Sequence, residues 1–465
     1  MTEQTLIFDR ELIRRYDRQG PRYTSYPTAV QFNDGFGVPQ YVDYAQRGNA
    51  DANPAPLSLY VHIPFCATVC FYCACNKIVT KNQTHATRYL DCLCQEIAQQ
   101  GRLFDKNRLV EQLHWGGGTP TFLNEKQMQR LMDETRRHFS LRGDDEGEYS
   151  IEIDPRTVDV ERVGFLRALG FNRLSLGVQD FDPTVQKAVN RIQSEAQTVG
   201  IIEAARAVGF KSVSLDLIYG LPFQSVDSFD MTLTRVIEAS PDRVSVFNYA
   251  HLPHLFKVQK QIDEAALPLP EEKLLILRRA IERLTNAGYV YIGMDHFAKP
   301  DDELAVAQRA GKLSRNFQGY ATHGECDIIG LGVSAIGRVG DSYSQNERDL
   351  ARYQERIEGE GLAVFRGVAL TADDRLRRAA INQLICHFAL DTGDFEAGHG
   401  IDFWAYFAAE WQALANMQAD GLLSLDRQRI KVLPAGRLLI RNICMVFDRY
   451  LNAQADNKIR YSKVI

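Results

Sequence analysis

Leu57-Ser-Leu-Tyr-Val-His-Ile-Pro-Phe-Cys-Ala-Thr-Val-Cys-Phe-Tyr-Cys-Ala-Cys-Asn76 is the stretch on which the reading of the chain turns. Its first seven residues, Leu57 to Ile63, form an apolar, β-branched run that reads as a buried strand. Pro64, with no N–H to give a ladder, stops it. Directly after it come Cys66, Cys70 and Cys73, spaced C-x3-C-x2-C, and then Cys75. Three thiolates on one short loop can hold three corners of an iron–sulfur cube; a fourth protein ligand would have to reach the remaining corner. Cys75 stands two residues beyond Cys73, a poor position for that reach, so one iron is left open to an outside ligand. Zinc sites favour two separated cysteine pairs, or cysteines with histidines, and neither a second pair nor an H-x3-5-H follows here. His62, upstream on the strand, reads as facing away from any knuckle. The spacing favours iron–sulfur, with zinc as the second reading.

Bulk composition narrows the field. At 465 residues and 45% hydrophobic, the chain can build one large core and a smaller domain. A net charge of −5 argues against nucleic-acid binding by bulk electrostatics. The first residues, Met1-Thr-Glu-Gln-Thr5, show no basic stretch followed by an apolar one, so no signal peptide is expected. No apolar run is long enough for a bilayer, and no membrane partner is expected. Nine cysteines, an odd number, then suit a reducing cytoplasm rather than a disulfide framework. Cys92, Cys94, Cys326, Cys386 and Cys444 read as small core hydrophobes.

From Leu57 onward apolar strands alternate with amphipathic helices, the pattern of βα units on a parallel sheet. Strands are expected at 57–63, 110–115, 149–154, 172–178, 212–218 and 243–249. Helices are expected at 84–100, 125–138, 158–169, 195–208 and 227–239. The fold class is α/β: a partial (βα)6 barrel, with a full eight-unit barrel as the competing architecture. The domains expected are an arm over 1–50, a catalytic domain with extra strands over 51–365, and a mostly helical domain over 366–465. A long helix near 271–287 and a hairpin near 421–433 belong to the later part of the chain.

In βα barrels the chemistry lies at the C-terminal ends of the strands. Here those ends carry the cysteine loop, His114-Trp-Gly-Gly-Gly-Thr-Pro120, Glu152-Ile-Asp-Pro155, Gly177-Val-Gln-Asp-Phe181, Asp216-Leu-Ile-Tyr-Gly-Leu-Pro222 and Asn248-Tyr-Ala-His251. Each is polar, charged or glycine-bearing where a packed barrel needs none of these, so together they read as a ligand-lined mouth. Gly116 to Gly118 let backbone approach a ligand. Glu152 and Asp216 are carboxylates at strand ends that can pair with a cation, a ribose hydroxyl or a pyrrole N–H, and Arg191 follows the fourth strand. Ahead of the barrel, Gly20-Pro-Arg-Tyr-Thr-Ser-Tyr-Pro27 is too rich in Pro and Gly for a helix and too aromatic for a disordered tail. It reads equally as a packed strap or as a lid carrying Arg22.

C-x3-C-x2-aromatic-C after the first strand resembles the radical S-adenosylmethionine superfamily. The resemblance implies that Cys66, Cys70 and Cys73 hold a [4Fe–4S] cluster whose open iron takes S-adenosylmethionine. Within it, Trp115-Gly-Gly-Gly-Thr-Pro120, Gly293-Met-Asp-His-Phe297, Asn316-Phe-Gln-Gly-Tyr320, the extra Cys75 and the Gly20–Pro27 arm resemble the oxygen-independent coproporphyrinogen III oxidases over nearly the whole chain. That family is similar in binding two S-adenosylmethionine molecules. Carried over, Tyr60, Gly117, Glu152 and Ile336 are contacts to the first, and Tyr72, Gly118, Thr119, Gln179, Arg191, Asp216 and Ala250 contacts to the second. Thr119 stands where related segments carry an acid, and Tyr72 where Phe is common; the latter adds a hydroxyl that wants a partner.

The implied reaction turns two propionates of coproporphyrinogen III into vinyls, through hydrogen abstraction by a 5′-deoxyadenosyl radical. Tyr60, Glu152, Cys75 and Arg22 are the catalytic candidates, with Arg22 offered to the substrate carboxylates. The implied partners are a tetrapyrrole substrate and an electron donor, acting on a monomer. The alternatives are a haem- or porphyrin-binding chaperone of the same fold and a zinc-structured interaction protein. Chaperone-like relatives lack the fourth cysteine and the arm, and this sequence has both.

Overall fold

The computed structural model describes residues 6–359 and 361–453. Met1 to Thr5, on which the leader reading rests, lie outside the described residues, as does the end of the expected C-terminal domain. Six strands run parallel in chain order: β1 (Leu57–Ile63), β2 (Leu109–Gly117), β3 (Glu148–Ile153), β4 (Arg173–Gln179), β5 (Ser212–Tyr219) and β6 (Arg243–Asn248). Helices α1 (Gln83–Gly101), α2 (Glu125–His138), α3 (Val160–Ala168), α4 (Glu195–Ala207) and α5 (Val226–Ala239) connect them. Side-chain oxygens of Asn82, Asn124, Asp159, Ser194 and Ser225 cap the five helices. On the other side of β1 the sheet continues through β7 (Asp327–Leu331), which is parallel to it. It then runs antiparallel through β8 (Ile336–Val339), β9 (Ser342–Asn346) and β10 (Val364–Ala369). The partial barrel therefore holds. The eight-unit alternative does not, because antiparallel strands stand where further βα units would be.

The inner and outer faces divide the labour. Successive side chains of a strand point to opposite faces. On β1, Leu57, Leu59, Val61 and Ile63 are fully buried on one face, while Ser58, Tyr60 and His62 share the other. The same alternation sets Leu113 and Trp115 against His114 on β2, Ile151 and Ile153 against Glu152 on β3, and Leu215 and Leu217 against Asp216 on β5. Apolar packing is thus concentrated on one face, at about 2 kcal/mol per buried aliphatic side chain, and the other face is polar.

Contacts group residues 31–283 and 325–369 into one compact unit, and the described parts of 1–30, 284–324 and 370–465 into another. The two groups meet at 30, 283, 324 and 369. Helix Val38–Asn49 falls with the barrel strands, and the segment before Val30 with the C-terminal helices. In the second unit the Gly20–Pro27 segment is packed as a strap. Tyr23 and Tyr26 are buried, Tyr23 donates to Asp448 Oδ2 at 3.0 Å, and the Tyr26 hydroxyl accepts from the Arg449 N–H at 3.2 Å. Arg441 donates to the carbonyls of Gly20 and Pro21. The expected hairpin near 421–433 is present as Leu423–Leu425 against Arg429–Val432. Among the described residues no helix is long and apolar enough to cross a membrane.

One buried acid ties α1 to the far side of β1. The Glu96 carboxylate is fully buried and accepts from the Gly332 N–H, the Asn346 amide and the Tyr353 hydroxyl, each at 2.7 Å. Tyr89, two turns earlier, accepts from the Val333 N–H at 3.1 Å and donates to the carbonyl of His62 at 2.6 Å. Burial pushes the Glu96 carboxyl up to about 7, only partly offset by its three donors. The folded state therefore holds a proton that the unfolded chain has lost above pH 4.5, and Glu96's contribution falls as pH rises from 4.5 to about 7. The stability advantage of wild type over Glu96→Gln is expected to shrink by about 3 kcal/mol across that window, read from urea unfolding at several pH values. A constant gap would mean that Glu96 stays ionised throughout.

Candidate active site

The cysteine loop is fastened at both ends to the strand that launches it. Ile78 N–H donates to the Pro64 carbonyl at 2.7 Å and Thr80 N–H to the Cys66 carbonyl at 3.0 Å, closing the loop on itself. His62 Nε2 lies 3.0 Å from the carbonyl of Asn76, which can only accept, so Nε2 carries the hydrogen and Nδ1 accepts from Tyr60 at 3.1 Å. Burial lowers the His62 pKa and keeps the ring neutral. His62 thus turns toward the end of the loop rather than away from it, as a clamp rather than a ligand. Phe71 N–H bonds the Val189 carbonyl at 3.0 Å and Asn190 holds the Val69 carbonyl at 2.8 Å, which joins the loop to the turn after β4.

The sulfurs differ in their surroundings. Among the described residues those of Cys66, Cys70 and Cys73 do not converge within 4.8 Å of one another, as the ligands of one ion would. A cube with one thiolate per corner suits the wider spacing. Burial raises the Cys66 thiol to about 11, with the Thr119 hydroxyl 3.5 Å from its sulfur. A hydrogen bond from Cys75, helped by the Lys77 charge, brings Cys73 down to about 6, and Cys75, the donor, is pushed well up. Cys75 is exposed. Cys70 receives two guanidiniums, Arg156 Nη2 at 3.6 Å and Arg191 Nη1 at 3.5 Å. Asp154 bridges both, at 2.6 and 3.3 Å, and so fixes their approach to the sulfur. The Tyr72 hydroxyl finds its partner in the same sulfur.

A glycine cradle faces this loop. Gly117 has φ +115°, and a Cβ there would lie 2.7 Å from the His62 ring. A Cβ on Gly118 would strike the Pro64 carbonyl at the same distance. Only glycine lets the end of β2 lie this close to the start of the loop. The Gly118 N–H donates to the Ile63 carbonyl at 2.8 Å and the Gly117 N–H to Glu152 Oε2 at 3.2 Å. Glu152 Oε1 lies 3.2 Å from His114 Nε2, whose other nitrogen accepts from Ser150 at 2.5 Å, and the His114 ring stacks 5.8 Å from Tyr60. Although burial opposes its charge, these donors bring Glu152 below its ordinary value, and 45% of its side chain stays open.

Asp216 is the opposite case. Burial first, then the charge of Glu152, raise it to about 6, against hydrogen bonds from Ser245 and Ser175. Arg191 sits buried with Nη2 on the Gly177 carbonyl at 2.5 Å, while its Nε has no partner among the described residues. Gln179 adopts φ +69° at a bulge in β4, and its amide lies against Gly177. The Ala250 carbonyl shares the amide of buried Gln259 with the carbonyl of Tyr72, at 3.3 and 3.0 Å. Ile336 opens β8, its backbone tight against Gly330.

The sequence-derived residues of the barrel unit therefore share its loop end or polar face. Arg22 is not among them: it belongs to the other unit and is ion-paired with Asp295. Asp154, Arg156, His114 and Gln259 are absent from the sequence-derived set. Asp154 and His114 stood in the strand-end segments, and only the fold shows what they hold. The donor set fits a [4Fe–4S] cluster: three thiols of wide spacing, two guanidiniums on one sulfur, a side-chain-free cradle and an unpartnered buried N–H. Cys66→Ser, Cys70→Ser and Cys73→Ser are each expected to abolish the roughly four irons per chain of anaerobically reconstituted protein. Cys75→Ser is expected to retain most of them, by iron and sulfide analysis. Full iron in any of the first three would remove that residue from the ligand set.

Comparison with known proteins agrees with this geometry. Residues 60–236 match the radical SAM superfamily and residues 370–439 the HemN C-terminal domain. The chain is 56% identical over 461 residues to the oxygen-independent coproporphyrinogen III oxidase of Pseudomonas aeruginosa, covering 99% of both chains. It is 51% identical over 465 residues to that of Escherichia coli, covering 100% of both. The solved structure of coproporphyrinogen III oxidase (HemN) from Escherichia coli, described as a radical SAM enzyme, superposes with a TM-score of 0.91 at 50% identity, covering 96% of this chain and 100% of that one. The chain belongs to the oxygen-independent coproporphyrinogen III oxidase family.

Proposed function

We propose that the protein carries out the oxygen-independent oxidative decarboxylation of two propionate side chains of coproporphyrinogen III, giving the two vinyls of protoporphyrinogen IX. The observation that carries this reading is the meeting of the cysteine loop, the glycine cradle and Glu152 at one end of the sheet, in a chain related end to end to enzymes of that name. Bound together, a [4Fe–4S] cluster and S-adenosylmethionine supply one-electron chemistry able to take hydrogen from an unactivated C–H bond, which side chains alone do not supply.

The chain's own residues hold and orient. Cys66, Cys70 and Cys73 would take three corners of the cluster. Glu152, kept ionised by His114 and the Gly117 N–H, offers a carboxylate to the cofactor's amine, with Tyr60, Gly117 and Ile336 around the first molecule. Asp216, whose ionisation burial and Glu152 both resist, gains most from a cation beside it, and a sulfonium or ammonium provides one. The unpartnered Arg191 Nε is suited to a carboxylate of the second molecule, with Tyr72, Gly118, Thr119, Gln179 and Ala250 around it. Because the Thr119 hydroxyl lies beside Cys66, its contact with cofactor competes with that sulfur. Arg22, offered to the substrate carboxylates, would bring with it the Asp295 carboxylate to which it is paired. A monomer served by a separate electron donor in the cytoplasm completes the proposal.

The decisive experiment is an anaerobic assay for vinyl products from coproporphyrinogen III with the reconstituted enzyme and a chemical reductant. Cofactor cleavage without vinyl formation would favour a porphyrin-binding chaperone instead. Glu152→Ala is expected to keep its iron but lower S-adenosylmethionine cleavage about a hundredfold, the scale of losing a charge-assisted anchor of about 3 kcal/mol. Wild-type cleavage in that variant would return Glu152 to a purely structural role.

A further inference from the structure

The substrate proposed above carries four carboxylates, and the sequence offers Arg22 for them. In the structure Arg22 is already neutralised by Asp295. Two other arginines, in the barrel unit, are not. Arg366 of β10 pairs in register with Gln345 of β9, and Gln345 with Ile336 of β8. Ile336 lies against Gly330 of β7, Gly330 pairs with Tyr60 of β1, and Tyr60 with His114 of β2. Register partners share a face of a sheet. Arg366 is therefore on the polar face that carries Tyr60, His114 and Glu152, in one row across the strands with Tyr60 and His114.

Its guanidinium is held ready. Gln345 Oε1 accepts from Arg366 Nε at 2.8 Å and Nη2 at 2.6 Å, and the Gln345 amide is itself tied to the Ser334 carbonyl at 3.2 Å. The rings of Phe365 and Phe32 flank the cation at 5.3 and 6.0 Å. Of the five N–H donors of the fork, those on Nη1 remain for a ligand. Arg348 stands just beyond β9, exposed, its carbonyl accepting from Asn76 at 3.1 Å immediately after the cysteine loop. Burial, and then the charge of Arg348, lower the Arg366 pKa, and no acid offsets them. Among the described residues neither arginine has a carboxylate partner. Two neighbouring cations without an anion repel each other, and an incoming carboxylate relieves that repulsion while gaining charge-assisted hydrogen bonds.

We propose that Arg366 and Arg348 form the anchor for a propionate carboxylate of the tetrapyrrole, fixing which side chains of the ring are presented to the cofactor end of the sheet. The assignment rests on the reading of the substrate given above. It is tested on anaerobically reconstituted holoenzyme by fluorescence titration with coproporphyrin III, the stable tetra-acid, and with its uncharged tetramethyl ester. Arg366→Gln and Arg348→Ala are each expected to weaken tetra-acid binding about tenfold. Ester binding, iron content and S-adenosylmethionine binding are expected to stay at wild-type levels, Arg366→Lys to recover part of the loss, and KM for coproporphyrinogen III to rise more than kcat falls. Arg348 is exposed, so its variant reports even where Arg366→Gln fails to fold. Wild-type tetra-acid affinity in Arg348→Ala or in a folded Arg366→Gln, or a parallel loss of acid and ester binding, overturns the proposal. A wild-type enzyme that forms no vinyls while these affinity differences stand would overturn the reaction and leave the anchor in place.

Discussion

Two carboxylates on one polar sheet face are the constraint around which the barrel is arranged. Asp216 senses the charge of Glu152, and the protein treats the two unequally. Glu152 receives an imidazole and a backbone N–H and stays ionised; Asp216 receives hydroxyls and is driven toward its neutral form. A face carrying these acids beside Tyr60, His62 and His114 cannot close on itself as an apolar barrel core would. Packing then falls to the opposite face, where Leu59, Val61, Leu113, Trp115, Ile151 and Leu215 are fully buried.

Much of this is legible in the sequence because strand periodicity is a strong signal when one face is polar. Leu57-Ser-Leu-Tyr-Val-His-Ile63 spells out both faces of β1, and the capping residues of the helices sit where their oxygens are needed. The cysteines betray themselves by spacing. What stays hidden are partnerships between residues distant in the chain. Nothing near Arg22 announces Asp295, and nothing near Arg156 announces Cys70, because an ion pair leaves no periodicity. The choice between strap and lid is hidden for the same reason: Tyr23 and Asp448 are 425 residues apart, and only the fold shows that the tyrosines of Gly20–Pro27 are packing groups. His62 differs from its sequence reading because its carbonyl and its ring serve different neighbours, Tyr89 and Asn76.

The surroundings of Cys70 show how the site handles charge. A thiolate at this corner would meet two guanidiniums and one carboxylate, a local excess of one positive charge before the sulfur is counted. Cys66 meets a hydroxyl, and Cys73 a thiol and a lysine. The three corners are therefore electrostatically distinct, and hydrogen bonds to the sulfurs are among the levers that set the potential of such a centre.

The hydroxyl of Tyr89 spans two structural tasks with a single atom. It takes the N–H of Val333 on one side and gives its hydrogen to the carbonyl of His62 on the other, three residues ahead of Phe65. The position of the cysteine loop is thereby referenced to the seating of a helix rather than to the loop's own sequence. Damage to the packing of that helix, far from any sulfur, would first show itself as pale protein, because the colour of an iron–sulfur centre depends on a loop that the helix holds in place.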